Sequence, residues 1–167
     1  MNTTQLKKFA QGARLKLLEQ VEAKLNFVLT HDTAELRGKA ETVRKLKDEL
    51  AKIGQKALVD KVAYTWFNRL IALRFMDANG YQPLGISIVT PSELTNSVSP
   101  QILEEAHSGN IPSELNINKS DVLDLLDGRV SSNNPDNDAY RILLVASCNQ
   151  LNSIFPFLFE KINDYTE

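Results

Sequence analysis

The sequence has 167 residues, of which 43% are hydrophobic and 24% charged, and its formal net charge is −2. These values are typical of one globular domain rather than of a disordered chain. No stretch is apolar over the ~18 residues that a membrane span needs, and the start lacks the apolar core of a secretory signal. Because Cys148 is the single cysteine, no internal disulfide can form, and we expect a reducing, cytoplasmic and bacterial setting.

The first 55 residues predict two amphipathic helices. Thr3 and Thr4 are suitable caps for the first helix, and Asp32 and Thr33 for the second, which should end at Gly54. Apolar residues recur at spacings of three and four, which is typical of a helix with one buried face. On the first helix they are Leu6, Phe9, Ala13, Leu17, Val21, Leu25 and Val28, and on the second Leu36, Ala40, Val43, Leu46, Leu50 and Ile53.

Two later segments are apolar around most of a helix and predict buried helices, at about 56–78 and 138–151. The region 81–137 between them is predicted to be long and irregular, with short helices at 100–106 and after Ser120. Ser120 is the predicted cap of the second of these helices. Within the same region, Gly85–Val89 is a candidate for a short strand pair. The segment Ser153–Asp164 is predicted to contain a last helix, with Pro156 near its start. The sequence therefore predicts a mostly all-α fold, a multi-helix bundle forming one domain over residues 1–167.

The charges are divided unevenly along the chain. Residues 1–80 contain 15 Lys or Arg and 9 Asp or Glu, a net +6, whereas residues 81–167 contain 4 and 12, a net −8. A basic half can attract phosphate or an acidic partner, while an acidic half repels nucleic acid. The alternative is that the two halves attract each other within one fold.

Residue types that carry chemistry are not clustered. The seven glycines are too widely spaced for a phosphate-binding loop, and His31 and His107 are too far apart in sequence to suggest a metal site. Both histidines lie near predicted helix ends, where we expect them to be exposed. Cys148 lies in an apolar helix, where a cysteine is a small hydrophobic residue rather than a nucleophile. Three aspartates within 121–127 suit a helix dipole better than a cation site. We expect no catalytic, cofactor-binding or metal-binding residue in this chain.

The predicted helix at 56–78 also contains aromatic and basic residues of the types that contact nucleic acid. Trp66 and Phe67 at helical spacing are more typical of a core than of a platform for stacking bases. Arg69 and Arg74 need partners if they are buried, and Asp77 lies three residues after Arg74 and can supply one.

This helix also carries a family resemblance. VAYTWFNRLIALRFMDANGY, Val62 to Tyr81, resembles a signature near the amino terminus of the PglX family. These are the adenine-specific DNA methyltransferases of BREX phage-exclusion systems. The start, MNTTQLKKFAQGARLKLLEQVEAKL, and the block AYRILLVASCNQLNSIFPFLFEKINDYTE, Ala139 to Glu167, resemble the same family. The three blocks occur in the family's order, whereas residues 83–137 add little to the resemblance.

The resemblance implies a longer parent enzyme that transfers a methyl group from S-adenosylmethionine to adenine in DNA, with its catalytic domain downstream of this chain. Such enzymes hold the flipped adenine with an Asn-Pro-Pro-aromatic motif. The nearest segment here, 134–137, reads Asn-Pro-Asp-Asn and lacks the second proline and the aromatic residue. No catalytic residue of the family can therefore be assigned to this chain.

Two functions remain open for the domain, and a third, a free-standing enzyme or metal protein, is disfavoured because no nucleophile, base or ligand set is clustered. The domain could contact DNA, or it could dock on its own catalytic domain or on other BREX components. Candidate contacts to DNA phosphates are Lys7, Lys8, Arg14, Lys16, Arg37, Lys39, Arg44, Lys45 and Lys47.

Overall fold

The computed structural model describes residues 3–162, apart from the side chains of Thr3 and Leu6. Within this range it has seven α-helices and one 3-10 helix, Ser113–Leu115. The α-helices are α1 (Thr3–Thr30), α2 (Ala34–Gly38), α3 (Ala40–Ile53), α4 (Gln55–Asn79), α5 (Gln101–His107), α6 (Lys119–Leu126) and α7 (Pro135–Asn152). No strand forms among the described residues, so the mostly all-α prediction is confirmed and the suggested strand pair is wrong. No helix in this part of the chain is long and apolar enough to cross a membrane.

The chain divides into two compact units, and the division falls inside α4. Among the described residues, unit 1 comprises residues 3–68, and unit 2 comprises Arg69–Ile162. The single domain expected over residues 1–167 stays a prediction.

Unit 1 contains one small apolar core, made by α1, α3 and the first part of α4. The buried residues are Leu25, Leu58 and Val59. Around them pack Leu18, Val21, Leu29, Leu46, Leu50 and Val62. The face that α1 buries is therefore only partly the predicted one, since Phe9 is 61% exposed. The predicted capping role of the Thr3 side chain and the predicted apolar contact of Leu6 lie outside the described residues.

The second predicted helix is in fact two helices. The Thr33 side chain caps α2 by accepting a hydrogen bond from the Leu36 amide at 3.2 Å. The backbone then leaves the helical conformation at Lys39, with φ −114° and ψ 32°, directly after Gly38. Glycine weakens a helix interior and so lowers the cost of a break at this point, although Gly12 lies within the continuous α1. The predicted stop at Gly54 is confirmed, and its φ of 82° suits a residue without a side chain.

Unit 2 is built around α7, which packs against α5, α6 and the 3-10 helix. Its fully buried apolar side chains include Leu73, Ile88, Ile102, Val122, Leu143, Leu151 and Phe159. The part of α4 in this unit is not buried all round, because Ile71 and Phe75 are 43% and 59% exposed. Asn118, not Ser120, caps α6, since its side chain accepts from the Ser120 amide at 3.3 Å.

A single carboxylate fixes the irregular segment that follows α4. One oxygen of Asp77 accepts from the Gln82 side chain at 2.6 Å and from the Ile88 amide at 3.1 Å. The other accepts from the amides of Val89 and Thr90 at 2.9 and 3.1 Å, and from the Thr90 hydroxyl at 3.0 Å. These amides therefore bind a carboxylate instead of a partner strand. Asp77 serves this loop rather than the predicted Arg74, which is exposed.

Tyr140 of α7 attaches to the same loop. Its hydroxyl donates a hydrogen bond to the Ile88 carbonyl at 3.0 Å. Burial, reinforced by the nearby charge of Asp77, raises the pKa of Tyr140 to about 12, because both disfavour the tyrosinate. The loop is therefore held from two helices by polar contacts at its backbone.

The segment after α7 is held by side-chain amides, and the predicted last helix does not form over residues 153–162. Asn149 pairs with the backbone of Ile162, accepting from its amide at 2.7 Å and donating to its carbonyl at 3.2 Å. Asn152 donates to the Phe159 carbonyl at 2.7 Å, and the fully buried Arg69 donates to the Glu160 carbonyl at 2.8 Å. The carbonyls of Phe159, Glu160 and Ile162 thus bind side chains rather than the amides of a following helical turn. Residues 163 and 164 lie outside the described range.

The Asp77 arrangement makes a stability prediction. Replacing Asp77 by Asn removes the charge and turns an amide group toward backbone donors, so we expect unit 2 to lose about 2 kcal/mol or more of stability. Chemical denaturation of the chain, followed by circular dichroism, measures this loss. As a control, Asp127→Asn removes an exposed partner of Arg129 and should cost less than about 1 kcal/mol. A loss no larger than that of the control would contradict the role assigned to Asp77.

Candidate nucleic-acid interface

The basic side chains proposed to contact phosphate all belong to unit 1 and all are exposed. Over residues 3–68, Lys and Arg number thirteen and Asp and Glu eight, a net charge of +5. Over residues 69–162 the corresponding numbers are six and eleven, a net charge of −5. The charge difference seen in the sequence is thus a difference between the two units.

The amino-terminal half of α1 is basic and has no core of its own. Four of the proposed contacts lie there, namely Lys7, Lys8, Arg14 and Lys16, and no acidic residue precedes Glu19. None of the described side chains from Thr4 to Leu17 is buried, and Phe9 and Leu15 are each 61% exposed. This half of α1 therefore presents both cations and apolar side chains to the surroundings.

The proposed contacts on α2 and at the start of α3 are paired with neighbouring acids. Arg37 lies 3.1 Å from Asp32, and Lys39 lies 3.5 Å from Glu35. These pairs are more than half exposed, so each contributes little to stability and can exchange with another anion.

Glu41 of α3 pairs with two more of the proposed phosphate contacts, Arg44 and Lys45. Its carboxylate accepts from Arg44 Nη2 at 2.8 Å and from Nε at 3.2 Å, a two-bond arrangement, and lies 3.7 Å from Lys45. The hydrogen bonds and charge of Arg44, assisted by Lys45, lower the pKa of Glu41 below its usual range. The same contact with Glu41 raises the pKa of Arg44, with a further contribution from Asp48 at 3.8 Å.

An open groove brings part of this surface together. It lies between the end of α1, α2 and the start of α3, and encloses about 520 Å³; we call it the α1–α3 groove. Its lining is Val28, Leu29, Thr30, His31, Asp32, Leu36, Arg37, Ala40, Val43, Arg44 and Lys47. Three of the nine proposed contacts, Arg37, Arg44 and Lys47, thus share one concave surface. Within the described residues, Lys47 has no ion pair.

His31 is a groove residue that the sequence did not suggest as a phosphate contact. Its ring stacks on Phe27 with centroids 4.3 Å apart, and its Nδ1 lies 2.9 Å from the Thr30 hydroxyl. The sequence marked only its position near a helix end, which the structure bears out at the end of α1. Nothing in the sequence indicated that this helix end and α3 would face each other across a groove.

The other residues considered for chemistry are not assembled into a site. Cys148 is fully buried in α7, and His107 pairs with Asp136 at 3.0 Å on the surface of unit 2. Of the aspartates in 121–127, two bind Arg129, at 2.7 Å from Asp124 and 2.9 Å from Asp127. No group of three or more His, Cys, Asp or Glu side chains that could hold a metal ion occurs in the part of the chain that the structure describes.

Comparison with known proteins relates the chain to a class of methyltransferases. It is 32% identical over its whole length to the adenine-specific methyltransferase PglX of Lacticaseibacillus casei (strain Zhang). It is 31% identical, again over its whole length, to the adenine-specific methyltransferase BrxX of Escherichia coli O9:H4 (strain HS). The chain spans 16% and 15% of the lengths of these relatives and matches their amino-terminal part. No family model and no solved structure matches it. The resemblance drawn from the three sequence blocks is confirmed.

The Glu41 contact can be tested by titration. Followed by NMR of its side-chain carboxyl carbon, Glu41 should titrate below the ordinary range for glutamate. A lowered pKa favours the folded chain above that range, and this contribution disappears as the pH falls through the folded-state pKa. Arg44→Gln should move the midpoint back upward, because Arg44 is the main cause, whereas Lys47→Gln should leave it unchanged. An equal response to both variants would mean that the pairing is not specific.

Proposed function

We propose that this chain, which belongs to the family of PglX-type adenine-specific methyltransferases, forms the amino-terminal helical region of such an enzyme in a BREX anti-phage system. The parent enzyme, in the bacterial cytoplasm, transfers a methyl group from S-adenosylmethionine to adenine in DNA. The residues that bind the cofactor and transfer the methyl group belong to another part of the parent.

In this proposal, unit 1 assists the parent by contacting the DNA backbone. The observation that carries it is the net charge of +5 on residues 3–68, with all nine proposed contacts exposed. Phosphate contacts position a protein on DNA without reading the base sequence. Because unit 2 carries −5, we expect the DNA to meet unit 1 rather than unit 2.

Binding by the chain itself tests this proposal. A fluorescently labelled DNA duplex should bind at low salt, with an affinity that falls as salt rises, at a slope of about −0.9 per phosphate contact in a double-logarithmic plot. The double variant Lys8→Gln and Lys16→Gln should weaken binding and reduce the slope by about 2.

The matched control removes two lysines from unit 2, with Lys119→Gln and Lys161→Gln. It changes the net charge by the same amount and should leave the affinity close to that of the unmodified chain. Absence of binding at low salt, or an equal effect of the two double variants, would refute DNA contact by unit 1.

A second candidate function is docking on the catalytic domain or on other defence components, without contact to DNA. Exposed apolar side chains on unit 2 favour it: Leu94 is 95% exposed, Val98 92% and Phe157 82%. Apolar side chains with such exposure are typical of surfaces that bind another protein when they occur together. Leu94 and Val98 lie in one short segment between Pro91 and Pro100.

The two functions are separated by variants of the parent methyltransferase. If docking is the function, Leu94→Ser with Val98→Ser should release the parent from its complex, measured by size-exclusion chromatography, because the apolar contact is lost. Charge reversal at Lys8 and Lys16 should then leave DNA binding and methylation intact. Loss of DNA binding on charge reversal, with the complex preserved, would reject docking in favour of DNA contact.

A further inference from the structure

We infer that the α1–α3 groove is a discrete site for one phosphate group, held by Arg37, Arg44 and Lys47. The ligand is a phosphodiester of DNA or a free inorganic phosphate, since both present the same charged oxygens. The inference that DNA supplies the phosphate group rests on the proposed function, whereas the inference that the groove binds free phosphate does not. The remaining proposed contacts, four of them on α1, would then add affinity without forming a pocket.

The cations of the groove leave donors available to such a ligand. Glu41 occupies Nε and Nη2 of Arg44, whereas Asp48 lies 3.8 Å from Nη1, beyond hydrogen-bond distance. Lys47, one turn after Arg44, has no ion pair within the described residues and contributes a full ammonium group. Arg44 Nη1 and Lys47 are therefore available to an anion in the groove without separating Arg44 from Glu41.

Arg37 must change partner to take part. Its Nη1 donates to the Asp32 carboxylate at 3.1 Å and to the Asp32 carbonyl at 3.2 Å. The pair is exposed, with 61% of the Arg37 side chain and 78% of the Asp32 side chain accessible, so water competes strongly with it. Arginine binds phosphate through paired, charge-assisted hydrogen bonds. Asp32, which also lines the groove, is thus a built-in competitor that limits how tightly an anion binds.

Titration of the chain with inorganic phosphate, followed by amide NMR, tests the site directly. Saturable shifts should be confined to residues around the groove, and Arg44→Gln with Lys47→Gln should weaken binding about tenfold or more, because hydrogen bonds to charged groups are lost. The control, Lys8→Gln with Lys16→Gln, loses the same charge outside the groove and should change phosphate affinity less than twofold.

The role of Asp32 as a competitor is tested by a variant that should strengthen phosphate binding rather than weaken it. Asp32→Asn should raise phosphate affinity by several-fold, because it frees Arg37 and removes a negative charge from the groove. Glu19→Gln removes one negative charge from α1, which contributes to the groove only through residues 28–30, and should have a smaller effect. Equal gains from the two variants would show only a general charge effect and would overturn the role given to Asp32.

The DNA titration described above distinguishes the two sources of phosphate. Weaker DNA binding by Arg44→Gln with Lys47→Gln than by the unmodified chain, together with loss of phosphate binding, supports the groove as a DNA phosphate site. DNA binding that depends on the α1 lysines alone overturns the groove as a contact for DNA phosphate and leaves the proposed function standing. Phosphate binding in the groove without any DNA binding overturns the proposed function and keeps the site.

Discussion

Unit 2 depends on the hydrogen bonds that three successive backbone amides, those of Ile88, Val89 and Thr90, donate to the carboxylate of Asp77. The segment 82–90 is neither helix nor strand, so the amides of Ile88, Val89 and Thr90 need an acceptor from outside it, and unsatisfied buried amides are costly. By binding them from the end of α4, Asp77 places Ile88 in the core, where it is fully buried. Tyr140 then reaches the carbonyl of the same residue from α7, so both polar groups of Ile88 are paired.

A different constraint applies to unit 1, because its core is too small to cover the whole length of α1, its longest helix. The buried residues of its core cluster, Leu25, Leu58 and Val59, pack against the carboxyl-terminal half of α1. The preceding half keeps helical backbone bonds but buries none of its described side chains from Thr4 onward. A helix with cations and exposed apolar residues, and with little core to hold it, is suited to contact with a partner, which agrees with either proposed function.

Neighbouring acidic side chains also reduce the positive charge that unit 1 offers to an anion. Four of the nine proposed contacts are paired with acids of α2, α3 or the preceding loop, so their charge is partly neutralised close by. Such pairs are weak in water and exchange readily, which favours contacts that depend on salt over tight binding. The net charge of unit 1 therefore overstates the number of cations that are immediately available to an anion.

The sequence by itself determined the helices with strong periodicity, the stop at Gly54 and the family resemblance, because these depend on local spacing or on direct comparison of residues. It could not determine that Gly38 and Lys39 break a helix, since the cost of one glycine is small enough for packing to decide. Tertiary structure alone decided that Gly85–Val89 binds a carboxylate rather than a strand. It likewise decided which face of α1 is buried and that His31 and three cations meet in one groove. These features depend on how separate elements pack against one another, and such contacts leave no periodic pattern in the sequence.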